Sequence, residues 1–130
     1  MTKRFYLSTR KDRNAEAAPL LEALRANGWE RTFDWANRGA SSASEYADLA
    51  VAEIAGIRDA DVLIVLLPGG YGTHVEIGAA LALGKPVILH APNRQTLETP
   101  YSCAFHYHPA VKLLVSEQLD VNAVLTSIAG

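Results

Sequence analysis

Three features of this 130-residue chain predict an α/β fold built on a five-stranded parallel sheet with helices on both faces. First, residues 62–67 are six apolar residues in a row, flanked by Asp61 and Pro68. Such a run is too short for a lone helix and suits a central parallel strand covered on both sides. Second, strand-like and helix-like segments alternate along the chain, the pattern of right-handed βαβ crossovers. Third, Pro68-Gly69-Gly70-Tyr71-Gly72 joins that strand to a helix of small residues. A turn of this kind lets backbone approach a ligand at the carboxyl end of a strand.

The elements follow in order. Residues 5–8 read as a short first strand, and residues 14–27 as a helix with Ala17, Leu20, Leu21 and Leu24 on one face, stopped by Gly28. Residues 31–35 read as strand two, and residues 37–43 as a polar loop of small residues. Ser42-Ala43-Ser44-Glu45 is a capping box opening a helix to about Arg58, with Tyr46, Leu49, Ala50, Ile54 and Ile57 on one face. Residues 62–67 are strand three, and Thr73 starts helix three. Residues 87–90 and 111–115 read as strands four and five, and residues 117–128 as a closing helix. Residues 93–108 show neither period. Five strands in this arrangement predict the flavodoxin-like order 2-1-3-4-5, which brings strands one and three together at the switch point.

Composition narrows the function. At 130 residues, the chain is sized for a single domain spanning residues 1–130. A net charge of −2 gives no basic footprint for nucleic acid. No apolar stretch approaches a membrane span, and the N-terminal MTKRFYLSTR lacks a signal-peptide core. One cysteine, Cys103, leaves no internal disulfide and fits a reducing compartment, so a cytoplasmic setting is expected.

The strand order aims Tyr6, Ser8, Thr9 and Arg10, at the end of strand one, toward the turn that carries Glu76. A carboxylate facing a backbone-lined crevice is a candidate catalytic group. Thr73-His74-Val75-Glu76 also fits a second capping box, in which Glu76 would reach back to the cap. A place in the first helical turn, near the positive end of the helix dipole, would favour the ionised form of Glu76.

Residues 5–8 (FYLS), 60–65 (ADVLIV), 72–78 (GTHVEIG) and 84–87 (GKPV) together resemble the nucleoside 2-deoxyribosyltransferase family, including its deoxynucleoside 5′-monophosphate N-hydrolase branch. The resemblance implies cleavage or transfer of a base–sugar N-glycosidic bond. It also implies Glu76 as nucleophile, Tyr6 holding that nucleophile and Asp61 contacting substrate. It further implies a homodimer or higher homo-oligomer that completes the site across an interface. Residues 68–76 also look like the Pro-Gly-Gly-x-Gly-Thr-x-x-Glu signature of the "lonely guy" cytokinin-riboside-monophosphate phosphoribohydrolases. A non-catalytic nucleotide-binding module is the reading from another class.

Ser8, Thr9, Arg10, Trp35, Gly70, Gly72 and Thr73 are the expected substrate-binding residues. Arg10, with Lys11 and Arg13, is placed to meet a 5′-phosphate beside the amides of the glycine turn; solvated surface charge is the plain alternative. Trp35 is either a base-stacking platform or core. Asp61 is either functional or a polar residue at the strand mouth. His106-x-His108 offers two imidazoles with no third ligand evident, so no metal and no cofactor are expected. These histidines and Tyr101, Phe105 and Tyr107 are better placed to line a neighbouring subunit's pocket.

Overall fold

The computed structural model describes residues 3–35 and 38–129. Its sheet is all-parallel, in the order β2-β1-β3-β4-β5. The strands are β1 (Lys3–Ser8), β2 (Trp29–Arg31), β3 (Val62–Leu66), β4 (Val87–Ala91) and β5 (Val111–Val115). The helices are α1 (Ala18–Ala26), α2 (Ala43–Asp59), α3 (Tyr71–Ala82) and α4 (Val121–Ala129). This is the predicted α/β fold, with the predicted order.

Every residue of β3 is buried, because apolar cores cover both faces of the sheet. Side chains alternate along a strand, and β1 shows the consequence. Tyr6 enters one core with Ile57 of α2 and Ile77 and Ala80 of α3. Its neighbours Phe5 and Leu7 enter the other, with Leu20 and Leu24 of α1 and Val124 of α4. Gly28 (φ 85°) and Gly84 (φ 72°) follow α1 and α3 in the left-handed backbone that ends a helix at no steric cost.

Several boundaries differ from the sequence reading. The expected helix at 14–27 splits into a 3-10 segment, Lys11–Ala17, and α1, because Pro19 sits in the first turn of the α-helix and cannot lie deeper. Strand two begins two residues and ends four residues earlier than expected, with Trp29 paired to Lys3. Residues beyond Thr32 leave the ladder so that Trp35 can fold back on β1. Helix α4 starts at Val121, since the Asp120 carboxylate caps the Ala123 N–H at 3.0 Å. Helix α2 opens at the predicted Ser42 cap, where Ser42 Oγ accepts from the Glu45 N–H. It is buried only toward its C-terminal end, and Tyr46 and Ala50 on the expected face are exposed.

Within the expected polar loop, residue 37 lies outside the described residues, and residues 38–41 carry no regular structure. The irregular segment holds two 3-10 turns, Arg94–Leu97 and Ala104–Tyr107. Among the described residues, no helix is long and apolar enough to cross a membrane.

Candidate active site

Register places the site. In β1, Tyr6 lies beside Leu63 and Ser8 beside Val65, so the two hydroxyls point to one face near the carboxyl end of the sheet. Helix α3 runs over that face. Its Glu76 is buried, at 7% exposure, and receives both hydroxyls. Tyr6 Oη donates to Oε2 at 2.5 Å and Ser8 Oγ donates to Oε1 at 2.6 Å. Both carboxylate oxygens are thus held by residues seventy and sixty-eight positions away in sequence.

The second capping box does not form. Helix α3 begins at Tyr71 after an extended Gly70, and no side chain caps it. Thr73 is buried beneath Gly69, where an added Cβ would come within 2.5 Å of Thr73 atoms. Gly69 is therefore the glycine that this packing requires. Gly70 and Gly72 have open space where a Cβ would stand. Because the helix starts early, Glu76 lies in its second turn, where the dipole is weaker than in the first.

Electrostatics follow from burial. Loss of water pushes the Glu76 carboxyl up to about 7, against the hydrogen bonds of Ser8 and Tyr6, which favour the anion. Burial and the adjacent carboxylate hold the Tyr6 phenol above its usual range, so it remains a donor. Two charged residues that the sequence reading did not single out act here. Glu53 on α2, half-buried and raised by that burial, opposes ionisation of both Glu76 and Tyr6. The Arg31 guanidinium lies over the Trp35 ring at 6.0 Å and 3.4 Å from Asp34, and its Nε and Nη2 have no hydrogen-bond partner among the described residues.

Gly56 was also missed. A Cβ there would meet Phe33 at 2.9 Å and the Tyr6 ring at 3.0 Å, so its absence lets α2 seat the tyrosine. The available signal was helical spacing, since Glu53, Gly56 and Ile57 share one face of α2.

The remaining expected residues divide. Thr9 is buried and donates to the Leu66 carbonyl at 2.7 Å. Trp35 is buried, and its indole N–H donates to the Leu7 carbonyl at 2.7 Å, between the two hydroxyl-bearing residues of β1. It serves as wall and core. Arg10 is not brought to the glycine turn, because its guanidinium pairs with Asp12 in solvent. Lys11 donates to the Arg38 carbonyl. Arg13 does reach the turn, donating to the Leu67 carbonyl at 2.5 Å while pairing with Glu16. It also lines a cavity of about 260 Å³ with Leu66, His90 and Glu117, which none of Tyr6, Ser8 and Glu76 lines.

Asp61 lies at the other end of β3. Its carboxylate accepts from the Arg4 backbone N–H at 2.9 Å, and its own N–H donates to the Arg4 carbonyl at 2.8 Å. Four residues of rise, about 13 Å, separate Asp61 from the level of Ser8. It closes the start of the β1–β3 ladder and does not join the Glu76 cluster.

A buried carboxylate held by two hydroxyls and titrating near neutrality is equipped to attack an electrophilic carbon and to leave it again. The family described as Nucleoside 2-deoxyribosyltransferase matches residues 5–122 of this chain. No curated protein matches it. Among solved structures, the Clostridium botulinum CMP N-glycosidase BcmB is similar at 21% identity and a TM-score of 0.69, over 98% of this chain and 100% of that one. A 2-deoxyribosyltransferase from Bacillus psychrosaccharolyticus is similar at 20% identity and a TM-score of 0.68, over 93% and 89%. BlsM matches at 20% identity and a TM-score of 0.68, over 98% and 87%. At such identities these structures speak for the fold.

Proposed function

Since this chain belongs to the nucleoside 2-deoxyribosyltransferase family, we propose that it cleaves or transfers the N-glycosidic bond of a nucleoside or nucleoside 5′-monophosphate, with Glu76 as nucleophile. The observation that carries this reading is the buried Glu76 carboxylate, with one oxygen bonded to Tyr6 and the other to Ser8.

Breaking the bond builds positive charge on the sugar C1′ and negative charge on the departing base. An ionised Glu76 answers the first by forming a C1′–O bond as the C1′–N bond breaks, and the departing base takes a proton from solvent. Water attacking C1′ releases the sugar and restores the carboxylate; a second base attacking instead completes transfer. The Tyr6 and Ser8 hydroxyls position the carboxylate and share its charge. Their bonds must loosen as one oxygen becomes an ester, so they also favour its return as leaving group. The proposed substrate contacts are Thr73 and the open glycines Gly70 and Gly72. For a 5′-phosphate, Arg13 is better placed than Arg10.

The cytokinin-type alternative rests on residues 68–76, whereas the family match spans residues 5–122. A panel of ribo- and deoxyribonucleosides and their 5′-monophosphates, read by chromatography for free base, tests the proposal. Release of base that is lost in Glu76→Gln is expected. Binding of the panel without any base release would favour a nucleotide-binding module instead.

The oligomer belongs to the same proposal. Tyr101, Phe105 and Tyr107 are 65%, 54% and 60% exposed in the single chain, an apolar surface that a second copy would cover. Sedimentation at micromolar concentration should show at least a dimer, and Tyr107→Ala should lower oligomer mass and activity together. A monomeric parent protein would contradict this.

A further inference from the structure

Beside the glycine turn, the first turns of α3 meet the segment that carries the Ala104–Tyr107 turn, and the groups that meet are two imidazoles and a thiol. One ligand atom each from His74, Cys103 and His106 lies within 4.8 Å of the others. The two imidazole Nε2 atoms are 2.9 Å apart. His74 Nδ1 is 2.9 Å from the Gly70 carbonyl oxygen. A carbonyl can only accept, so Nδ1 carries a proton, and in that tautomer the Nε2 lone pair faces His106. Metal-ligating histidines are held in this way, the outer nitrogen donating to a backbone carbonyl that fixes tautomer and ring orientation. His106 is 1% exposed, and its Nδ1 has no hydrogen-bond partner among the described residues.

The sequence offers only His106-x-His108, with no third ligand, and predicts no metal there; the two histidines do not converge. His108 turns away and accepts the Ala110 N–H on Nδ1 at 3.0 Å. The third donor comes instead from Cys103, three residues before His106, and the second imidazole from α3.

We propose that His74, Cys103 and His106 form a zinc site that fastens the 103–106 segment to the first turns of α3. Two imidazoles and one thiolate suit zinc and disfavour magnesium or calcium, which take oxygen ligands. With Zn–N near 2.0–2.1 Å, two nitrogens of a tetrahedral site stand about 3.3 Å apart. The two nitrogens therefore need to part by a few tenths of an ångström, with both rings tilting their lone pairs toward the metal and the Cys103 sulfur drawn in from within 4.8 Å. Three protein ligands leave one tetrahedral position for water or another small ligand. On binding, the Cys103 thiol gives up its proton to solvent, while the His106 proton moves from Nε2 to Nδ1, so one proton leaves per zinc. The site shares no residue with the Tyr6–Ser8–Glu76 cluster, and the proposal stands apart from the N-glycosidase reading.

The test uses protein freed of metal by a chelator under reducing conditions and titrated with Co²⁺, then Zn²⁺. One equivalent of Co²⁺ should produce the visible bands of a tetrahedral site and a near-ultraviolet thiolate charge-transfer band, and one equivalent of Zn²⁺ should erase both. Calorimetry in buffers of different ionisation enthalpy should report about one proton released per zinc. Cys103→Ser should lose the charge-transfer band and weaken zinc binding by more than the roughly 10–100-fold that loss of an outer partner costs. His74→Ala should weaken zinc binding to the same degree, and His108→Ala should change neither. Circular dichroism of each variant separates lost ligands from lost fold, and His74→Ala decides if Cys103→Ser fails to fold. Absence of tetrahedral bands at one equivalent, or a charge-transfer band that survives Cys103→Ser, would overturn the site.

Discussion

Two carboxylates flank the central strand, Asp61 just before β3 and Glu76 on the helix that follows it, and the sheet sends them to opposite ends. Asp61 is exposed and accepts one backbone N–H where the β1–β3 ladder begins. Glu76 is buried and bonded to two hydroxyls at the far end, with its carboxyl pushed up to about 7 by loss of water. An exposed carboxylate on a backbone amide contributes a little stability. A buried one costs stability when it ionises, and the proposed chemistry requires that ionisation. The contrast separates a residue that helps build the sheet from a residue the sheet is built to hold.

The largest expected effect is on turnover. Glu76→Gln should lower it by at least roughly a hundredfold, the scale for loss of a key electrostatic group, while Asp61→Asn leaves it within about twofold. Comparable losses from both substitutions would break the comparison.

The second effect is on stability and pH. Glu76 titrates near 4.5 in the unfolded chain and near 7 in the folded one, so between those values the native state holds the extra proton. Its contribution is therefore fully present below pH 4.5 and is lost as pH rises through 7, by roughly 3 kcal/mol at most. Glu76→Gln cannot titrate. Urea denaturation at pH 5 and pH 8 should show the variant gaining on the parent at the higher pH. A constant difference would mean that Glu76 is not held in the protonated form at low pH.

Smaller effects follow from the partners. Tyr6→Phe and Ser8→Ala each remove a hydrogen bond that favours the anion. Each should move the acidic limb of the kcat/KM profile to higher pH and lower kcat/KM by about tenfold, within the range for hydrogen bonds to charged groups. An unmoved pH limb would show that the hydroxyls do not hold the carboxylate in solution. Smallest of all, Asp61→Ala should cost about 1 kcal/mol of stability, the usual net worth of one hydrogen bond, with the pH–rate profile unchanged.

The fold was legible because the residues that decide it act locally. The buried run before Pro68, the Ser42 cap and the glycines after α1 and α3 are all short-range signals. Tyr6, Ser8 and Glu76 were legible only once the strand order was inferred, since they meet through the β1–β3 pairing. What misled was also local. The Thr73–Glu76 spacing satisfies a capping box, yet Thr73 is buried under Gly69 and Glu76 spends both oxygens on β1. Glu53 and Gly56 share the helical face of the buried Ile57, but that spacing alone does not say that the face meets Tyr6. Arg10 was misplaced because Asp12, two residues on, offers its guanidinium a nearer partner. The His74–Cys103–His106 cluster joins two segments that share no motif.

The most direct test of Glu76 as nucleophile is mass spectrometry of protein incubated with a nucleoside whose sugar carries fluorine at C2′. The electron-withdrawing group slows release of a glycosyl-enzyme and allows it to accumulate. The account predicts one sugar mass added per protein chain as free base is released, located on the peptide containing Glu76 and absent from Glu76→Gln. An adduct on another residue, or steady release of base from a true substrate with no intermediate trapped on Glu76, would contradict it.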